Sequence, residues 1–257
     1  MTDASIPARP SVHHSSGGWL EEHWFELFLL IYGLWVWLPW LGPVFMQAGW
    51  SGAGRVIYLI YAFFCHQLPE RSYFLFGQKP MYTLAEVQGA WQQTLNPFLL
   101  RQFIGDATMG WKVAWSDRMI SFYTSIWLFA VIWAPMRRRA KPLSWWVFGL
   151  LLLPIALDGG THAVSDLAGI GRGFRDTNAW LATLTQNALP AWFYAGDALG
   201  SFNSWMRNLT GVAAGFGIAW LAFPAIYQTE VQNRKLDELN YAKVIEQIKR
   251  KDPDPAG

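Results

Sequence analysis

The residues with chemistry to offer fall in four short polar runs. The first is Cys65-His66-Gln67, with Arg71 and Ser72 just beyond. It sets a thiol beside an imidazole at the end of an apolar stretch, then a proline, a guanidinium and a hydroxyl. The second is Ser116-Asp117-Arg118, leading into an apolar run. The third is Asp158-Gly159-Gly160-Thr161-His162. Its aspartate and histidine share a face if a helix continues there, although the two glycines weigh against that. The fourth, Arg175-Asp176-Thr177-Asn178, reads as a turn with a helix cap. Two chemistries suit the set. Cys65, His66, Asp158 and His162 offer mixed sulfur, nitrogen and oxygen ligands to a transition-metal ion such as zinc. Alternatively, Arg71, Arg118 and Arg175 hold a phosphate or carboxylate while Cys65 or His66 acts as nucleophile or base, with Asp117 and Asp158 alongside. A structural role is open to each of them as well: Asp117 and Arg118 can pair with Arg175 or Asp158 simply to tie segments together. No G-x-S-x-G, P-loop, H-E-x-x-H or GxGxxG motif is present.

The elements that must position these runs read as membrane spans. The chain has 257 residues, of which 53% are apolar and only 15% charged, where a soluble domain averages about 25% charged. A single cysteine excludes a disulfide framework and a CxxC-type metal cage, and a net charge of +2 argues against a nucleic-acid partner. Uncharged apolar runs at about 27–47, 115–135, 143–158 and 209–228 predict four transmembrane helices. The last carries Gly211 and Gly215 at GxxxG spacing, which lets another helix approach closely. Val56–Cys65 is apolar for too few residues to span, and predicts a helix lying in the interface or packed back on the bundle.

Arg137, Arg138, Arg139 and Lys141 crowd the short connection after the second span, and six further Lys and Arg follow the fourth. The positive-inside rule places both groups, and hence both termini, in the cytoplasm. The outer segments, 48–114 and 159–208, are tryptophan-rich and predict interfacial helices folded as a cap. Residues 1–18 are polar, predict a disordered tail and hold no signal-peptide core. Residues 229–257 predict a cytoplasmic amphipathic helix that either docks on lipid or a partner or simply continues the fourth span into water.

The run IYLIYAFFCHQLPERSYFLFG resembles the signature of a prokaryotic membrane family, domain of unknown function 2085, whose members carry Cys-His-Gln followed by Pro-x-Arg-Ser. GWKVAWSDRMISFY, PIALDGGTHAV, FRDTN and RNLTG are similar to further blocks of that family. The resemblance implies recurring polar positions at Cys65, His66, Gln67, Arg71, Ser72, Arg118, Asp158, Thr161, Arg175, Asn178 and Arg207. Ser116 stands where the family has a second cysteine, Met119 where it has Asp, and His162 where it has Gln. The resemblance brings a fold and a site location, and no activity.

The sequence thus predicts an all-α, polytopic integral protein of a bacterial inner (cytoplasmic) membrane, residues 19–228 forming one membrane domain with an outward polar site. Two functions lead, an enzyme acting on a lipid or lipid-linked substrate, or a non-catalytic subunit or assembly factor of a larger membrane complex; a small-solute or ion transporter ranks last, since the four spans lack internal charges and show no inverted repeat. The expected partners are membrane lipid and partner subunits or further copies of the chain.

Overall fold

The computed structural model describes residues 16–251. Four long apolar helices form the body: α1 (Ser16–Gln47), α5 (Asp117–Trp133), α6 (Trp145–Asp166) and α10 (Phe202–Lys251). Each is long and apolar enough to cross a bilayer. α5 and α6 both pack along α10, and α5 also packs on α1. Lipid offers no hydrophobic driving force between helices, so close approach of small residues matters. Gly211 and Gly215 provide it within the chain. A Cβ at either would collide with Ser121 Oγ or Ser125 Oγ of α5.

One end of this bundle carries Arg137, Arg138 and Arg139 in the α5–α6 connection, and is called here the basic end. Phe25, Trp133 and Phe223 close the core beside it. The other end carries a cap. α2 (Ser51–Tyr61) folds back on α1, burying Gly54, Ile57 and Tyr58 while Val56, Leu59 and Ile60 stay exposed. It ends four residues before Cys65, so the thiol sits in a loop rather than at a helix terminus. The small helices α3 (Leu84–Ala90), α4 (Pro97–Leu100), α7 (Phe174–Thr177), α8 (Ala179–Leu184) and α9 (Ala191–Tyr194) complete the helical part of the cap.

Between them lies a three-stranded antiparallel sheet that hydropathy did not predict: β1 (Ser72–Leu75), β3 (Gly110–Ser116) and β2 (Gly105–Asp106), in that spatial order. β3 is buried along most of its length, so it lacks the polar–apolar alternation that betrays a strand. It also takes residues 115 and 116 out of the expected second span, which begins at Asp117.

Three further boundaries differ from expectation. The tail expected over 1–18 lies outside the described residues except for its last three, which already belong to α1. The third span does not stop at Asp158 but runs to Asp166, through both glycines. The helix survives there because arginines satisfy the Asp158 carboxylate from outside it. The fourth span continues without a break to Lys251, with Leu236, Leu239 and Val244 exposed along the extension. Residues 252–257 lie outside the described part.

Candidate functional site

Where the cap meets the bundle, four arginines and four aspartates interlock. Arg71 ends a 3-10 turn (Pro69–Arg71) and forks onto Asp166, donating Nη1 and Nη2 to its two oxygens at 2.7 and 2.8 Å. Its Nε donates to Asp197 at 2.8 Å. Arg207, near the start of α10, donates Nε to both oxygens of Asp117 at 2.8 and 2.9 Å and Nη1 to Asp197 at 2.6 Å. Arg175 donates Nη2 to Asp158 at 2.6 Å, Nη1 to Thr161 Oγ1 and Nε to Asn203 Oδ1. Arg118, one residue into α5, donates Nη2 to Asp158 at 2.6 Å. The α6 members Asp158, His162 and Asp166 recur every fourth residue on one face. His162 Nδ1 lies 3.3 Å from Arg118 Nη2, and its Nε2 lies 3.5 Å from Asp197 Oδ1.

Asp197 is the hinge of this lattice. Burial penalises its charge, yet Arg71 and Arg207 hold its carboxyl well below the usual carboxylate range. Burial likewise works against Arg71, and Asp197, Asp166 and Glu70 more than offset it, raising its proton affinity. Asn178 is left-handed (φ 41°) and donates to Arg175 O and Tyr194 O, which fixes the loop carrying Arg175.

In front of the lattice lies a cavity of about 380 Å³. Cys65, His66, Ser116 and Arg118 line one part of it, and Met119, Leu95, Pro97 and Ile170 give it an apolar side. The Cys65 sulfur accepts backbone N–H groups of Gln67 and Ser116, each at 3.4 Å, and donates to Ser116 Oγ at 3.6 Å. Ser116 is the residue standing where the resemblance expects a second cysteine. His66 is exposed on the cavity wall. α5 and α6, which flank the cavity, share no packed interface and are bridged at this level by Arg118.

The three other arginines spend all their nitrogens on the lattice. Arg118 alone has one nitrogen engaged; its buried Nε has no hydrogen-bond partner among the described residues. The cavity therefore meets one guanidinium with donors to spare, and its Nη1 lies close to where a Cβ on Gly159 would stand.

Of the residues singled out as catalytic candidates, Cys65, His66, Arg71 and Arg118 line this cavity. Asp117, Asp158 and Arg175 stand behind it as lattice members; Asp117 is fully buried, so its reading as a reacting group gives way to one as counter-ion to Arg207. The four residues expected to share a metal are divided. Asp158 and His162 lie in the lattice, Cys65 lies with Ser116, and no three of His, Cys, Asp and Glu gather as metal ligands among the described residues. Asp176 caps the backbone N–H of Gly173 at 2.7 Å and takes no part in the lattice. Asp166 and Asp197 were missed. Asp166 had a signal, its place eight residues beyond Asp158 on the same helix face. Asp197, in the loop before α10, had none.

Fold and site together define a multi-pass helical membrane protein with a charged chamber at one end of the bundle. Residues 107–221 match the family model described as "Predicted membrane protein (DUF2085)". That segment holds Asp117, Arg118, Asp158, His162, Arg175 and Arg207; Cys65, His66 and Arg71 fall outside it. An uncharacterized protein of Methanocaldococcus jannaschii is 22% identical over 196 residues, covering 73% of this chain and 83% of that protein. No solved structure matches.

Proposed function

We propose that the cavity receives the polar headgroup of a lipid or lipid-linked substrate, that the substrate's chains lie along the open flanks of α5 and α6, and that the protein acts on that headgroup. The observation carrying this reading is the cavity's position between two spans that do not pack on each other, with a spare guanidinium facing it. About 380 Å³ is within the range of small-molecule sites. From Trp145 to Asp158 the rise of α6 is roughly 20 Å, and to Asp166 roughly 32 Å. A hydrocarbon layer of about 30 Å starting near Trp145 would thus end near Asp166, so the headgroup is drawn roughly 10 Å below that level to reach Arg118 beside Asp158. Arg118 is the anion holder, His66 the exposed base, and Cys65, with two N–H dipoles converging on its sulfur, the nucleophile. The positive-inside rule puts the basic end and both termini in the cytoplasm and the cap outside.

The test is lipid mass spectrometry on the full chain in vesicles of bacterial total polar lipid. The wild type is expected to retain one lipid class on extraction and to convert it with time. Gly159→Phe, which fills the cavity and leaves every charge in place, should lose retention. Cys65→Ala and His66→Ala should retain the lipid and stop conversion. Equal lipid complements on wild type and Gly159→Phe would overturn the proposal. The subunit reading calls for a free GxxxG face, and here those glycines pack on α5.

A further inference from the structure

A second cavity, about 330 Å³, opens at the basic end of the bundle, far along the spans from the first. Its walls are charged and balanced. Glu22 and Glu26 come from one face of α1, Arg137 and Arg138 from the α5–α6 connection, and Glu230 and Arg234 from α10. Glu230 and Arg234 satisfy each other at 2.6 Å, and Glu230 also accepts the Trp24 indole N–H at 3.2 Å. Glu22, Glu26, Arg137 and Arg138 enter no ion pair within 4.0 Å among the described residues, although they line the same space. Trp133, the last residue of α5, also lines it. Trp133 is only 1% exposed, and its indole N–H is buried without a hydrogen-bond partner among the described residues.

From these placements we infer that the basic-end cavity binds the zwitterionic headgroup of phosphatidylethanolamine from the adjacent leaflet. The phosphate takes Arg137 and Arg138; the primary ammonium takes Glu22 and Glu26. The chemistry selects against the alternatives. The headgroup of phosphatidylglycerol carries no cation, and would leave the glutamates facing a phosphate. A choline ammonium has no N–H to give a carboxylate. The site also sits at the right depth. Trp19, Trp145 and Trp146 are exposed around this end, as aromatic side chains are at a membrane–water interface.

The test presents the full-length protein in detergent with dioleoyl phosphatidylethanolamine, phosphatidylglycerol and phosphatidylcholine at equal concentration and counts retained lipids by native mass spectrometry. Wild type is expected to prefer phosphatidylethanolamine by about tenfold over either competitor, and to be stabilised against heating by it alone. Glu22→Gln with Glu26→Gln should abolish the preference over phosphatidylglycerol. Arg137→Gln with Arg138→Gln should reduce retention of both. Equal retention of the three lipids by the wild type overturns the inference without recourse to any variant, as does an undiminished preference in the glutamine pair.

Discussion

Glu70 lends itself to a quantitative test. It is 2% exposed, and neither carboxylate oxygen has a hydrogen-bond partner among the described residues. Burial pushes it up from 4.5 to about 7, with Arg71 and Lys112 only partly opposing this. At about 1.4 kcal/mol per pH unit, the displacement of the folded-state value amounts to something on the order of 3 kcal/mol. The sign follows from linkage. Between pH 4.5 and 7 the folded chain holds a proton at Glu70 that the unfolded chain has released, so its contribution is full at low pH and lost as pH rises through about 7. Glu70→Gln is neutral throughout. It should lie within about 1 kcal/mol of the wild type at pH 5 and exceed it at pH 8 by on the order of 3 kcal/mol, a rise in unfolding midpoint at pH 8 of roughly 6–12 °C for a chain of this size. The chain's 17 tryptophans make the assay simple: intrinsic fluorescence reads the unfolding midpoint at either pH without a thiol label. Comparing variant and wild type at each pH removes the other titrating groups to first order. If the gap between them is the same at pH 5 and pH 8, Glu70 is not protonated in the folded protein and the reasoning fails.

Lys112 should show the opposite limb. It is fully buried, burial pulls it down to about 7, and its Nζ donates to Gln67 O and Arg101 O. Stability should therefore rise with pH above about 7 in the wild type and stay flat in Lys112→Met, which is also weaker overall because two carbonyls lose their donor; thermal unfolding across pH 7–10 checks both. Asp197→Ala takes one partner from each of Arg71 and Arg207, which keep Asp166 and Asp117, and should cost about 1–3 kcal/mol, seen as loss of monodisperse protein on gentle heating in detergent. Gly215→Val forces α10 off Ser125 and should cost about 1–3 kcal/mol in the same measurement, with Gly217→Ala far milder. Arg118→Lys keeps the charge and gives up the spare fork. Headgroup retention should fall roughly 10- to 100-fold with the midpoint little changed, since Arg175 still holds Asp158.

The spans were legible because twenty uncharged apolar residues admit few readings. Their ends were not. Asp158 and Gly159-Gly160 look like a stop signal in sequence, and only the arginines of two other segments make it safe for α6 to carry an aspartate onward. β3 was hidden for the same kind of reason: buried along most of its length, it presents an apolar run that periodicity cannot distinguish from the start of a helix. Within the site, residues grouped locally were found and those supplied by distant loops were not. Cys65, His66, Arg118, Asp158 and Arg175 announced themselves as charges or nucleophiles beside apolar stretches. Asp197 sits between Gly196 and Ala198 in a loop with no such context, yet it joins Arg71 to Arg207.

The lattice itself separates scaffold from site. Buried ion pairs seldom add much stability over an apolar core, because desolvation consumes most of the Coulombic gain. What they do well is specify one arrangement. Arg71, Arg175 and Arg207 have every nitrogen committed, to four aspartates and a few neutral acceptors, and together they pin the cap loops to the cap-side turns of α5, α6 and α10. A ligand can draw nothing further from them without breaking a bond already made. Arg118 belongs to the same lattice through Asp158, yet keeps its remaining donors uncommitted beside the cavity. The lattice thus holds one incompletely used cation at a fixed place, next to a thiol and an exposed imidazole, between two spans that leave a flank open. That asymmetry among four otherwise similar arginines, more than the presence of charge near the membrane, is what the proposed anion site rests on.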